Sequence, residues 1–317
     1  MKFQELENKF SQFVGTEGCV AVNSGTAALH LALEALQLPK NAEVIVPQYT
    51  MVATAWAVHY ARLNPVFVDC DNDLLINIKE IERSITDNTR VIMVTHVYGR
   101  VVNMGAITEL ANKYNLRIIE DAAEAHGCKW NNKIAGSYDI GCFSFYRNKI
   151  VCGEEGGAIV SNDLEFLETA RDMKSMSFGK EHNYMHKQIG FNYRMTNSQA
   201  SLIIDSLKNI DKNIKLRREN EFLYDSLIDR EHHMPKRDVP WVYDIKVDDN
   251  KIVDQMREQN VAARYGFKPV GMCAPFFLDA SLTKSYDMSK KIMYLPVGPE
   301  INKKDIHLIV EKLRKLQ

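Results

Sequence analysis

The chain has 317 residues, 45% of them apolar and 26% charged, enough for a large core divided into two domains or one α/β unit with a smaller partner. Its formal charge of −1 leaves no basis for a nucleic-acid surface or attachment to an anionic membrane. The apolar runs are far too short to span a bilayer, and the N-terminal MKFQELENKF is amphipathic instead of signal-like, so a cytoplasmic protein is expected. Cys19, Cys70, Cys128, Cys142, Cys152 and Cys273 show no CxxC or paired spacing and read as reduced, mostly buried residues.

Phe3, Leu6, Phe10 and Phe13 recur at helical spacing, so residues 2–14 predict a helix docked on the body. Cys19–Val22 predicts a strand and Ala27–Leu38 a helix, joined by Asn23-Ser24-Gly25-Thr26. Strand, small-residue turn and helix start can bind a phosphate through free N–H groups and the helix dipole. Ser24 or Thr26 would equally serve as a plain helix cap.

Val44–Pro47 predicts a second strand, Tyr49–Ala61 a helix ending near Asn64-Pro65, and Val66–Asp69 a third strand. Residues 78–84 predict a short helix, Val91–Thr95 a strand, Met104–Tyr114 a helix and Leu116–Ile119 a strand. Alternation at this spacing predicts a mostly parallel sheet covered on both faces.

The next stretch carries the chemistry. One strand delivers Glu120-Asp121 at its carboxyl end, and a second, Ile140–Tyr146, delivers Lys149 just before a Gly-rich turn. Ligands of open α/β sheets gather beyond the carboxyl ends of strands. A lysine amine condenses with an aldehyde to a Schiff base, and a carboxylate holds a pyridine nitrogen protonated. Together they meet the demands of pyridoxal 5′-phosphate. By itself Lys149 reads first as a solvated loop lysine beside Arg147, protonated with a pKa of about 10.4.

Ala158–Val160 predicts a further strand and Leu164–Met173 a helix. Residues 174–190 read as a polar loop, whose His182 and His186 lack a third ligand and predict no metal site. One long helix is predicted from Asn197 through Leu227. The charged stretch Asp229–Asp238 divides a large domain, 1–228, from a small one, 229–317. In the latter Val242–Val247 alternates as a strand, followed by a helix at 252–259, a segment at 262–270 and a closing helix at 303–316.

Five segments carry a resemblance: Asn23-Ser24-Gly25-Thr26-Ala27-Ala28-Leu29, Glu120-Asp121-Ala122-Ala123, Ser144-Phe145-Tyr146 with Lys149, Gly156-Gly157, and Gly190-Phe191-Asn192-Tyr193-Arg194-Met195. In this order and at about this spacing the chain resembles, over nearly its whole length, the sugar aminotransferases of the DegT/DnrJ/EryC1/StrS family. The resemblance implies the aspartate-aminotransferase-like α/β fold (fold type I), with a mostly parallel sheet and a smaller α+β C-terminal domain. That domain is shorter here than the family leads one to expect.

The resemblance also implies roles. Lys149 becomes the Schiff-base lysine and Asp121 the partner of the pyridine nitrogen. Gly25, Thr26 and Ser144 cradle the phosphate, with Asn192 reaching in from the other subunit of a homodimer. Glu124 stands beside the ring hydroxyl where the family usually carries glutamine, and Met51 where an aromatic residue usually covers the ring. Glu154 occupies a position more often glycine, with no reason visible in the sequence. Tyr193 and Arg194 support the partner's site, or serve only structure, and Arg264 and Lys268 read the sugar.

The implied reaction takes an amino group from glutamate, leaving pyridoxamine phosphate, and gives it to C4 of a nucleotide-linked 4-keto-6-deoxy sugar. The SFYxNK form is most similar to the perosamine-forming members that use a GDP sugar. The dehydratase branch carries histidine at the lysine position, so Lys149 favours transamination. The alternatives are a 3-amino transferase on a dTDP or UDP sugar, a non-catalytic pyridoxal phosphate-binding regulator, and a plain nucleotide-binding domain. The last lacks a GxGxxG fingerprint.

Overall fold

A computed structural model describes residues 1–179, 184–281 and 283–316. The larger part begins with helix α1 (Lys2–Val14), strand β1 (Gly18–Val22) and α2 (Gly25–Ala35). It continues through β2 (Glu43–Pro47), α3 (Val52–Tyr60), β3 (Asn64–Val68), α4 (Ile78–Ser84) and β4 (Thr89–Thr95). Next come α5 (Met104–Tyr114), β5 (Arg117–Asp121), a hairpin of β6 (Lys129–Trp130) and β7 (Lys133–Ile134), and β8 (Ile140–Ser144). β9 (Gly157–Ser161), α6 (Leu164–Met173), α7 (Asn197–Lys208) and α8 (Ile210–Leu227) follow.

The central sheet has the order β1-β9-β8-β5-β4-β2-β3. The strands from β8 to β3 pair in parallel, and β9 runs antiparallel to both β8 and β1. Val44-Ile45-Val46 and Val91 through Val94 are apolar at every position because both faces of these strands are covered. Alternate residues then enter opposite cores. Val44, Val46, Val91 and Met93 pack with α2, α3 and α6. Ile45, Ile92 and Val94 pack with α1, α5 and α7, where Phe10 stands edge-on to Phe143 and Phe145.

The predicted single helix from Asn197 to Leu227 is two helices, broken at Asn209 (φ −102°, ψ 10°). The Asn209 side-chain amide donates to the Asp205 carbonyl, the competition with the helical ladder that makes asparagine a poor interior residue. The β6–β7 turn, Asn131-Asn132, has positive φ at both positions, as a two-residue hairpin turn requires.

The smaller part holds β10 (Tyr243–Lys246), α9 (Ile252–Glu258), β11 (Arg264–Tyr265), α10 (Lys284–Lys291), β12 (Ile292–Leu295) and α11 (Lys303–Arg314). Its sheet is antiparallel, with β12 central between β10 and β11. The sequence reading contains neither β12 nor α10. β12 is only four residues long with no alternation, and α10 is mostly polar. A separate core of Tyr243, Ile245, Met256, Met293, Leu295, Ile306 and Val310 also takes in Tyr224 of α8. The two parts are joined by a buried ion cluster: Asp244 accepts from Arg100 and Arg237, and Arg237 also donates to Glu221.

Candidate active site

A cleft of about 360 Å³ opens at the carboxyl ends of β4, β5 and β8, between the two parts. Gly25, Thr26, Met51, Asp121, Glu124, Ser144 and Lys149 all line it, joined by Trp241, Phe267 and Tyr294 from the C-terminal region.

The floor is the start of α2. Ser24 caps the helix by accepting the Ala27 N–H, and the first-turn N–H groups of Gly25 and Thr26 have no helical acceptor. Glycine is demanded at 25: a Cβ there would stand 2.7 Å from the Ser144 Cβ. The cap and the phosphate reading therefore coexist, because Ser24 satisfies one donor and leaves others facing the cleft.

Asp121 ends β5, 5% exposed. Its Oδ2 accepts from the Thr54 hydroxyl at 2.7 Å and its Oδ1 from the Ala123 N–H at 3.2 Å. Burial raises its pKa, against the pull of those two donors and of Lys149 and His96. The preceding Glu120 points away from the cleft. It accepts from His96 Nε2 and from the backbone of Gly136 and Tyr138, anchoring the end of β5.

Lys149 lies in the loop after β8. Its N–H bonds to the Tyr146 carbonyl, Asn148 accepts from the Trp241 indole at 2.8 Å, and Ile150 accepts from Asn213 at 2.7 Å. The loop is thus pinned on both sides of the amine. Lys149 Nζ lies 3.6 Å from Glu124 Oε1 and 3.8 Å from the centre of the Trp241 ring. Burial lowers its pKa, opposed by Glu124 and Asp121. The bland reading, a solvated loop lysine, does not describe this side chain, which is 11% exposed.

Glu154 sits in the return of the same loop with φ +66°, a region favouring glycine. That is the physical reason behind a position more often glycine, invisible without the backbone.

Of the remaining sequence candidates, only Met51 belongs to this cleft. Met51 lines its mouth, half-exposed. Asn192 and Arg194 are exposed and bonded to each other, and Tyr193 meets His30 through its hydroxyl at 2.9 Å. The Tyr193 carbonyl accepts the Asn23 N–H, so this segment runs beside the α2 turn. Arg264 and Lys268 are exposed, although Phe267 between them lines the cleft. Trp241, Tyr294 and Thr54 escaped the sequence reading: two come from distant segments, and Thr54 is one small polar residue in an apolar helix. A larger groove of about 730 Å³ beside Phe222 is lined by the exposed faces of α8 and Lys303 and gathers no buried titratable group.

His186 bonds to the Met176 carbonyl, and His182 lies outside the described residues. Among the described residues no group of three or more His, Cys, Asp or Glu could hold a metal. No described helix is long and apolar enough to cross a membrane.

A buried amine, a buried carboxylate and an open helix start in one cleft fit an aldehyde-bearing pyridine phosphate in charge and in donor type. Comparisons agree. The model of the DegT/DnrJ/EryC1/StrS aminotransferase family matches residues 1–314. The GDP-perosamine synthase of Escherichia coli O157:H7 is 38% identical over 244 residues, 76% of this chain and 67% of that protein. The dTDP-3-amino-3,6-dideoxy-alpha-D-galactopyranose transaminase of Aneurinibacillus thermoaerophilus is 31% identical over 324 residues, 98% of this chain and 89% of that one. Among solved structures, S. venezuelae DesV superposes with a TM-score of 0.93 at 26% identity, covering 100% of this chain and 89% of its own.

Proposed function

The chain belongs to the DegT/DnrJ/EryC1/StrS aminotransferase family and is a pyridoxal phosphate-dependent sugar aminotransferase; from that premise we propose that it moves an amino group from L-glutamate to C4 of a nucleotide-linked 4-keto-6-deoxy sugar, as a GDP-perosamine synthase does. The observation that carries the reading is the convergence of Lys149, Asp121 and the Gly25–Thr26 helix start in one cleft.

When bound, pyridoxal phosphate supplies an aldehyde that condenses with amines and a ring that draws electrons from the reacting carbon. Gly25, Thr26 and Ser144 would hold its phosphate, and Asp121 would hold its ring nitrogen protonated. Thr54 and the Ala123 N–H keep the Asp121 carboxylate aimed and satisfied. Lys149 would hold the cofactor through its amine. The same amine would take and return the proton moved in each half-reaction. Trp241, Phe267 and Tyr294 line the cleft with rings, and the lower dielectric beside them strengthens the charge interactions there.

The segment of Asn192, Tyr193 and Arg194, exposed at Asn192 and Arg194, fits a homodimer in which each subunit completes its partner's cleft. Arg264 and Lys268 remain candidates for the nucleotide sugar, at the exposed edge beside Phe267. The 3-amino transferase reading is kept by the similarity to the dTDP-3-amino-3,6-dideoxygalactose enzyme.

The test is a visible spectrum of the purified chain with pyridoxal phosphate, before and after glutamate, beside Lys149→Ala. The expected band of lysine-held cofactor disappears on adding glutamate and never forms with the variant. Failure to bind the cofactor, or to respond to any amino donor, overturns the reading. Discharge of the amine onto GDP-, dTDP- or UDP-linked 3- and 4-ketosugars then separates the substrates.

A further inference from the structure

Glu124 has a strained turn built around it. Its Oε1 faces Lys149 Nζ at 3.6 Å, and its Oε2 accepts the Tyr98 backbone N–H at 2.9 Å. Tyr98 aims that donor from a left-handed backbone, φ 56° and ψ 21°. Such a conformation is strained for a bulky residue. The turn thus spends backbone strain to hold one oxygen of a carboxyl and leave the other toward the amine. At 3.6 Å the contact with Lys149 is one between charges, longer than a hydrogen bond.

We propose that Glu124 is a positioning residue that sets the charge state of Lys149: its carboxylate holds the amine protonated in the cleft, so that this contact decides the pH at which the amine becomes a nucleophile. The inference rests on Lys149 being the reactive amine, and it concerns a property of the chain before any cofactor is bound.

The surroundings isolate the pair. Burial works against both charges, pushing the Glu124 carboxyl up to about 7 and the Lys149 amine down. Glu124 is the strongest influence opposing the fall in Lys149. Asp121 faces the pair from β5 and acts on Lys149 in the same sense, less strongly. His126, buried among Phe10, Phe143 and Phe145, is pushed down to about 3 and stays neutral. Tyr98 is driven well above the usual phenol range and Tyr294 up to about 12, so neither carries charge near neutrality. Lys149 Nζ also lies against the Trp241 ring, which carries no charge. A glutamine at 124 could still accept the Tyr98 N–H while carrying no charge.

The experiment is reductive methylation of the full, cofactor-free chain with formaldehyde and a mild hydride donor, followed at Lys149 by peptide mass spectrometry from pH 5 to 10. The exposed Lys268 is the internal control. In Glu124→Gln the Lys149 midpoint falls by at least one pH unit, about the smallest shift an opposed charge at this range produces. Below both midpoints that is at least tenfold more labelling at a given pH, with Lys268 unchanged. Glu124→Leu, which also removes the charge, shifts the same way and serves where the glutamine variant does not fold. A Lys149 midpoint that is unchanged or higher in the folded variant overturns the proposal. Failure of the aminotransferase reading looks different, since it would appear in the cofactor spectrum while the labelling shift persisted.

Discussion

Replacing Thr54 by valine tests how Asp121 is held. Thr54 is fully buried, and its hydroxyl donates to Asp121 Oδ2 at 2.7 Å. Valine keeps the shape and removes the donor. A hydrogen bond to a charged acceptor contributes about 1.5–3 kcal/mol and one to a neutral acceptor about 0.5–1.5 kcal/mol. The penalty is therefore about 1–1.5 kcal/mol larger while Asp121 is ionised, equivalent to raising its folded-state pKa by roughly one further unit.

The direction with pH follows by linkage. Asp121 is raised in the folded chain by burial, so its contribution to stability is fully present below the unfolded value of about 3.9 and is lost as pH rises through the folded value. Thr54→Val widens that loss. Wild type and variant draw together in acid and separate as pH climbs past the folded pKa of Asp121, reaching a plateau above it. Urea unfolding of both cofactor-free proteins between pH 4 and 8 measures the gap. A gap constant across that range, or larger in acid, refutes the assignment of Thr54 as the donor that holds an ionised Asp121.

Other expectations are equally direct. Glu154→Gly removes a side chain from φ +66° and raises the urea midpoint, by on the order of 1 kcal/mol in stability, less the entropy glycine adds to the unfolded chain. Asp244→Ala leaves Arg100 and Arg237 buried without their shared carboxylate and costs about 3–5 kcal/mol in denaturant unfolding. Burial alone would raise the Asp244 pKa, but the two guanidiniums outweigh it and hold it low. Its contribution is present above the unfolded pKa of about 3.9 and fades as pH falls through the folded value, so the alanine penalty shrinks in strong acid.

Much of the cleft lining was legible in the sequence. Lys149 and Asp121 stand out because each follows an apolar strand, and a parallel sheet sends the ends of its strands to one edge. Gly25 and Thr26 are readable because a helix start is a local signal. The small strand Ile292–Leu295 was not readable: four residues, three of them buried, flanked by charge and proline carry no period. Nor was the break at Asn209, where one side chain bonded to the Asp205 carbonyl outweighs the helical pattern on both sides.

What the amino-acid order determined by itself is whatever depends on neighbours in the chain: the alternation of strand and helix, the faces of each strand, the turn glycines and the order of the motifs. Tertiary structure alone decided what closes over those motifs. Trp241 reaches the Lys149 amine across 92 residues of chain, Thr54 reaches Asp121 across 67, and Tyr98 turns its N–H to Glu124 from a left-handed backbone. Burial, and with it the charge state of Lys149, Asp121 and Glu124, is a property of atoms brought together from distant segments. A short window of sequence encodes periodicity, whereas desolvation is set by everything that packs around the group.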